Sequence, residues 1–259
     1  MVDKEYLVKV FEDTEKIVNS GAFDNVLFSS KEMFDVKKRN PLVQDVLNDK
    51  KGLVTVDNMD CVSMAQTLSY AGKTCILNMA SHYRPGGGVK NGARAQEEEL
   101  CRRSNLIFGL EYNSNNDLYP IQEDEYLYTK DVTFFKDGKY QVCEPFDLDV
   151  ITIPAINLNK EKDKWLFEGN DKEYKQYMQA KVLATIIRPM QAGCVNLVLS
   201  AFGCGVFKND PNFVSELYRE YLYDFGMRYF FNRISFAIIN DQNATNNNFG
   251  IFKKILKDE

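Results

Sequence analysis

The stretch Thr74-Cys75-Ile76-Leu77-Asn78-Met79-Ala80 is followed, after five residues, by Gly86-Gly87-Gly88 and then by Gln96-Glu97-Glu98-Glu99. No other feature constrains the chain as tightly. An almost unbroken apolar run of this length suits a strand buried on both faces. Three consecutive glycines let the backbone take positive φ and lie against a bulky ligand. Ala93, Ala95, Leu100 and the charged residues between them favour a helix, and acids in its first turn suit the macrodipole. Strand, glycine loop and helix in that order place the loop at the carboxyl edge of a sheet, where open α/β folds bind ligands. Backbone N–H groups there suit a pyrophosphate, and a carboxylic acid beside them suits bond cleavage. Taken singly, the glycines read as a connector and the acids as a solvated face. The apolar strand that precedes them argues against the connector.

The rest of the chain alternates in the same way. Tyr6, Leu7, Val10, Phe11, Ile17 and Val18 predict an amphipathic helix over residues 2–19, ending near Gly21. Residues 25–28 are β-prone, and residues 37–40 read as an exposed turn before Pro41. A strand is expected over 52–56 and a helix over 60–68, for which Asp60 is placed as a cap. A polar break at 113–116 precedes a hairpin about Asp137-Gly138, and residues 150–155 read as a further interior strand. A long helix over 174–190 stops near Gly193, and the strand 195–200 runs into a second glycine loop, Ala201-Phe202-Gly203-Cys204-Gly205-Val206-Phe207. A helix over 212–223, a strand over 234–239 and a helix over 249–256 complete the pattern, without internal repeat or low-complexity tract. This order implies an α/β fold, a three-layer α/β/α sandwich with a mixed, mostly parallel sheet. A single domain over 1–259 is expected, with about residues 1–50 as an N-terminal helical extension packed on it. The two loops could grip one ligand from both sides, although Gly203 and Gly205 also suit a tight strand-to-helix turn.

Composition narrows the function. The net charge of -5 argues against bare nucleic acid as the main partner, because neutralising phosphates needs a basic surface. The six cysteines lack the short paired spacing of zinc or redox sites and read as small buried hydrophobes. His82 is the only histidine, which leaves little for a histidine metal site or a standard serine or cysteine triad. It reads as a surface or structural residue, while Arg84 could touch phosphate. No apolar stretch approaches the roughly 20 residues that span a bilayer. A monomeric, cytoplasmic or nucleocytoplasmic protein without a membrane partner is expected.

Gly86-Gly87-Gly88, seven residues, then Gln96-Glu97-Glu98 resembles the signature of the poly(ADP-ribose) glycohydrolase family in its compact bacterial-type branch. Leu77-Asn78-Met79-Ala80-Ser81, Leu100-Cys101-Arg102-Arg103-Ser104, Ile153-Pro154-Ala155 and Gly203-Cys204-Gly205-Val206-Phe207 fall where that branch has similar segments. The resemblance covers roughly residues 50–255. It implies a macrodomain-like fold that binds ADP-ribose and hydrolyses the ribose–ribose O-glycosidic bonds of poly(ADP-ribose), with no metal or other cofactor. By the same resemblance Glu98 is the catalytic acid and Glu97 orients ribose hydroxyls beside the scissile bond. Gly86, Gly87, Gly88 and Val89, with Gly205, Val206 and Phe207, enclose the diphosphate and distal ribose, Phe207 packing against the ligand, and Gly203 belongs to the substrate-binding set. Asn78 binds the terminal ribose, Gln96 belongs to the substrate-binding set, and Asp60 resembles the aspartate that contacts the adenine amino group. The implied partners are poly(ADP-ribose) or ADP-ribosylated proteins as substrate and ADP-ribose as product.

The chemistry is consistent with these roles. An oxocarbenium-like transition state needs a proton for the departing oxygen, and one carboxylic acid can supply it and then activate water. Consecutive helical residues point about 100° apart, so Glu97 and Glu98 suit a division of labour better than a symmetric pair flanking one bond. Two alternatives stay open at this level: a hydrolase of mono-ADP-ribose linkages, and a macrodomain that binds ADP-ribose without cutting it. The second would not need Gln96-Glu97-Glu98. A nucleotide phosphate hydrolase ranks last, since no Lys-Ser/Thr follows the glycines.

Overall fold

The computed structural model describes residues 3–23, 27–36, 52–111, 117–159, 171–239 and 247–257. The expectations for 37–40, for 113–116 and for the first part of 25–28 lie outside the described residues. The chain divides into two compact units, Met1–Glu32 with Asn78–Pro154, and Met33–Leu77 with Ala155–Glu259.

The first unit begins with helix α1 (Lys4–Asn19), whose Asp3 cap accepts the Glu5 N–H and whose Leu7, Val10 and Phe11 are buried. Strands β1 (Ser29–Met33), β4 (Glu125–Lys136) and β5 (Val142–Ile153) lie in the order β1-β4-β5. Strands β4 and β5 form the expected hairpin, but it is longer than the sequence predicted. Residues 150–153 do not start a new strand; they are the far end of β5 and pair with β4 from Leu127↔Thr152 onward. The pattern breaks because two register shifts, one beside Asp131 at φ 53°, change which face each residue meets. Helices α3 (Gln96–Arg103) and α4 (Leu106–Glu111) supply Leu100, Cys101, Leu106 and Ile107 to the core.

Lys136 ties α1 into this unit. Its buried ammonium donates to the Val10 carbonyl at 3.0 Å and Thr14 Oγ1 at 2.8 Å, and pairs with Asp13 at 2.8 Å. Thr14 in turn donates to the Arg102 carbonyl at 2.6 Å. A buried lysine is tolerable only when paired and hydrogen-bonded, and here α1 supplies all its partners. The N-terminal helix is therefore built into the unit that carries Glu97 and Glu98.

The second unit holds β2 (Leu53–Asp57), β6 (Asn196–Leu199), β7 (Arg233–Ala237) and the first four residues of β3 (Thr74–Met79). They run in the order β3-β6-β7-β2 with every pairing parallel. Buried Ile76, Leu197, Val198, Ile234 and Phe236 form the continuous apolar runs that a parallel sheet needs. Helix α2 (Cys61–Ser69) is capped by Asp60, as expected. Helices α5 (Asp171–Gln191), α6 (Pro211–Arg219) and α7 (Asn248–Ile255) complete the unit. Tyr218 meets Phe236 edge-on at 4.9 Å, and Phe236 lies 5.7 Å from Phe252. The expected mixed α/β class is thus observed. All six cysteines are free. Among the described residues no helix is long and apolar enough to cross a membrane, and no cluster of His, Cys, Asp and Glu could hold a metal.

Candidate active site

Strand β3 ends at Met79, and the chain then turns through Ser81 and His82 into the glycine loop. Gln96, the first residue of α3, reaches back so that its Oε1 accepts the Met79 N–H at 2.8 Å. Glu97 Oε2 accepts the Ser81 N–H at 2.8 Å. The strand end and the helix start are therefore clamped by two side chains of the Gln-Glu-Glu run.

Gly86 and Gly87 adopt φ of 65° and 60°. At Gly87 the glycine is required twice over. A Cβ there would lie 2.6 Å from Glu98 Oε1 and 2.9 Å from Glu97 Oε2, so both carboxyl groups press on the same bare backbone. Glu98 Oε1 accepts the Gly88 N–H at 2.8 Å, and its Oε2 accepts the Ala95 N–H at 3.0 Å. The second of these is the half of a capping box that an alanine N-cap permits. The loop closes on itself as well: the Gly87 N–H donates to the Arg84 carbonyl and the Val89 N–H to that of Gly86. The expected row of exposed N–H donors is therefore absent at Gly87, Gly88 and Val89. Tight turns aim these groups inward, two at neighbouring carbonyls and one at Glu98. Val89 itself is buried and starts a short 3-10 turn, Val89–Asn91. That turn ends at Gly92, where a Cβ would lie 2.5 Å from the Lys4 carbonyl of α1.

Both carboxyl groups are buried, Glu97 to 3% and Glu98 to 6% exposure. Burial pushes the Glu97 carboxyl up to about 8, and the charge of Glu98 adds to the rise; the Ser81 N–H, Asn78 and the Gly86 N–H oppose it. At neutral pH Glu97 therefore holds a proton. Two buried acceptors make no hydrogen bond, Glu97 Oε1 and Asn78 Oδ1. Asn78 is oriented by its amide, which donates to Thr152 Oγ1 at 3.2 Å. Arg102 braces the far side of α3, donating to Glu99 at 3.0 Å and to the Ala93 carbonyl. Tyr140 also donates to both Glu99 oxygens, at 2.7 and 2.9 Å, so the third acid of the run is held away from the pair.

His82 is buried and structural, not superficial. It lies 3.3 Å through Nδ1 from the Ile121 carbonyl, accepts the Ile121 N–H at its own carbonyl at 2.9 Å, and approaches Glu123 through Nε2 at 3.6 Å. Arg84 is exposed. Sequence reasoning did not find Tyr119, whose buried hydroxyl makes no hydrogen bond. It lies outside every motif, and only long-range pairing brings its segment alongside His82.

The second unit carries the other predicted residues. Gly203 has φ 73°, and a Cβ there would meet Ala155 Cβ and Asn209 Nδ2, each at 2.6 Å, so its glycine serves a tight turn. Asn209 pins that turn: its amide donates to the Ile156 carbonyl at 2.8 Å and the Gly203 carbonyl at 3.1 Å, and its Oδ1 accepts from Tyr174 at 2.9 Å. Gly205 differs, since a Cβ there would meet nothing within 4 Å. Gly205 and Val206 are exposed, and their N–H groups donate to no acceptor among the described residues. Phe207 is half-buried, and its carbonyl accepts the Leu158 N–H. Cys204 is buried, which with the Asp210 charge pushes its thiol up to about 12 and keeps it protonated. Asp60 Oδ1 accepts the Ser63 N–H at 3.0 Å as the α2 cap.

Comparison with known proteins bears out the resemblance. Residues 12–137 match the family of the microbial-type PARG (poly(ADP-ribose) glycohydrolase) catalytic domain. A poly(ADP-ribose) glycohydrolase from Thermomonospora curvata is 22% identical, with a TM-score of 0.79 over 97% of this chain and 99% of that one. The same enzyme bound to the inhibitor ADP-HPD gives a TM-score of 0.75 at 22% identity, over 96% and 99% of the two chains. The enzyme from Deinococcus radiodurans, in complex with ADP-ribose, is 27% identical, with a TM-score of 0.71 over 81% of this chain and 86% of that one. No curated protein matches by sequence.

Proposed function

We propose that this chain hydrolyses the ribose–ribose O-glycosidic bonds of poly(ADP-ribose) and releases ADP-ribose, a reading supported by the match of residues 12–137 to the microbial-type PARG catalytic-domain family. The observation that carries this reading is the buried pair of Glu97 and Glu98 wrapped by a glycine loop that admits no side chain.

The division of labour follows from what each oxygen already does. Glu97 Oε1 and Asn78 Oδ1 are buried and make no hydrogen bond within the protein, and the hydroxyls of a ribose diol, which both donate and accept, can pair with each. They orient the sugar. Glu98 is fixed by two backbone N–H groups, so its carboxyl is held in one position with no rotamer to search. It acts as the general acid and then the base. Ribose hydroxyls donating to Glu97 stabilise its carboxylate, so the proton it holds at neutral pH becomes available to the pair. Glu98 protonates the departing glycosidic oxygen as the bond from the anomeric carbon breaks. A water molecule adds to that carbon and gives its proton to Glu98. In the second unit, the N–H groups of the exposed residues Gly205 and Val206 donate to nothing among the described residues, which suits them to a diphosphate. The first loop, its own N–H groups turned inward, shapes the ribose pocket. Asp60, which retains its cap, is assigned to the adenine amino group.

The test is release of ADP-ribose from labelled poly(ADP-ribose) by the parent and by Glu98→Gln. The parent releases it, and the variant does so at least about a hundred-fold more slowly, the scale of a lost general acid. ADP-ribose affinity in the variant stays within a few-fold. A parent that binds ADP-ribose but cleaves no polymer would make the protein a reader and overturn the proposal.

A further inference from the structure

Tyr119 precedes β4 in the first unit and belongs to no motif. Its hydroxyl is buried without a hydrogen-bond partner. Most buried polar groups are paired, and leaving one unpaired is costly, so a hydroxyl left in this condition calls for a reason.

The backbone around it is firmly placed. The Ile121 N–H donates to the His82 carbonyl at 2.9 Å, and His82 Nδ1 lies 3.3 Å from the Ile121 carbonyl. On the other side, Lys31 donates to the Pro120 carbonyl at 3.3 Å and pairs with Glu125 at 3.2 Å. His82 directly follows Ser81, whose N–H holds Glu97 Oε2. The segment carrying Tyr119 is thus stitched to the turn that anchors the buried carboxyl. The ring senses what lies there: burial raises the phenol well above its usual range, and the charges of Glu97 and then Cys101 raise it further. Cys101 Sγ in turn borders Gly86, at 3.2 Å from where its Cβ would be. The phenol stays protonated and available as a donor.

We infer that Tyr119 is a further substrate-contacting residue, its hydroxyl donating to a ring or glycosidic oxygen of the ribose that Glu97 and Asn78 hold. The inference rests on the function proposed above. Among the buried polar atoms of the first unit that make no hydrogen bond are Asn78 Oδ1, Glu97 Oε1 and Tyr119 Oη. Asn78 Oδ1 accepts, Tyr119 Oη can donate, and Glu97 Oε1 accepts once its carboxyl has given up its proton. A ribosyl group is the matching set, with hydroxyl donors for the acceptors and ether oxygens for the donor. Leaving the phenol unpaired in the free protein reserves its hydrogen bond for the ligand, because any internal partner would have to be given up on binding.

Tyr119→Phe removes only that oxygen. In the free variant the thermal midpoint is expected to be unchanged or raised, since an unpaired buried hydroxyl is lost. ADP-ribose affinity by calorimetry is expected to fall about five- to thirty-fold, the scale of one buried hydrogen bond, and kcat/KM on poly(ADP-ribose) to fall at least as far. Parent-like affinity and kcat/KM would overturn the inference. So would a lowered midpoint of the free variant with unchanged affinity, which would make the hydroxyl structural. If the parent neither binds ADP-ribose nor cleaves the polymer, the function itself fails, and the inference with it.

Discussion

In the first loop a side chain at Gly87 would collide with Glu98 Oε1 at 2.6 Å and Glu97 Oε2 at 2.9 Å, whereas in the second loop a side chain at Gly205 would meet nothing within 4 Å. The N–H groups divide in the same way. Those of Gly87, Gly88 and Val89 are spent on Arg84, Glu98 and Gly86, while those of Gly205 and Val206 donate to nothing among the described residues. Glycine in the first loop serves the protein's own carboxyl pair. At Gly205 it leaves open space on an exposed turn. One residue type therefore makes room for buried carboxyl groups in one unit and stands on an open, exposed turn in the other.

The sharpest way to break this comparison is Gly87→Ala. It forces φ 60° on a residue with a Cβ, at about 1–2 kcal/mol, and drives the new methyl into both carboxyl groups. Turnover of poly(ADP-ribose) is expected to fall at least about a hundred-fold, as when a catalytic acid is misplaced. Near-parent turnover would mean the loop and the pair can separate without cost.

Next in size is the pH dependence of stability set by Glu97. Its carboxyl sits at about 8 when folded, against an ordinary value of 4.5. Between those values the folded protein holds a proton that the unfolded chain has released. The stability that proton confers is fully present below pH 4.5 and is lost as pH rises through 8. At about 1.4 kcal/mol per pKa unit the change is on the order of a few kcal/mol. Chemical denaturation of the parent and Glu97→Gln across this range is expected to show a falling stability in the parent and a flatter profile in the variant. Identical slopes would place the proton elsewhere.

Asn209→Ala tests how the second loop is held. It deletes both amide donations and the Tyr174 acceptor, and about 1–3 kcal/mol of stability is expected to go with them. ADP-ribose affinity should fall as well, because the turn bearing Gly205 loosens. Unfolding titrations and calorimetry read the two effects separately. Gly205→Ala is the smallest perturbation. Its thermal midpoint is expected to match the parent's, while ADP-ribose affinity drops a few-fold if ligand occupies the space the methyl takes. Unchanged affinity would remove Gly205 from the diphosphate assignment and weaken the contrast with Gly87.

Local periodicity and turn chemistry made most elements legible. The apolar run at 74–80 became β3, the run at 195–200 became β6, and Asp60 became the cap of α2. Residues 150–153 were legible as strand but not as the continuation of β5, because register shifts in a long hairpin leave no short-range signal. The Gln96-Glu97-Glu98 run marked the candidate site, yet its spacing could not say that Glu98 would be held by two N–H groups while Glu97 Oε1 made no hydrogen bond.

The sequence by itself determined the order of strands and helices, the glycine positions and the carboxyl pair, since these depend on residues a few positions apart. Tertiary structure decided the rest. It put His82 into the interior beside Ile121, tied the segment that carries Tyr119 to that turn, locked α1 in place through Lys136, and raised the Glu97 carboxyl. Burial and long-range hydrogen bonds govern each of these, and both arise only when segments far apart in the chain come together.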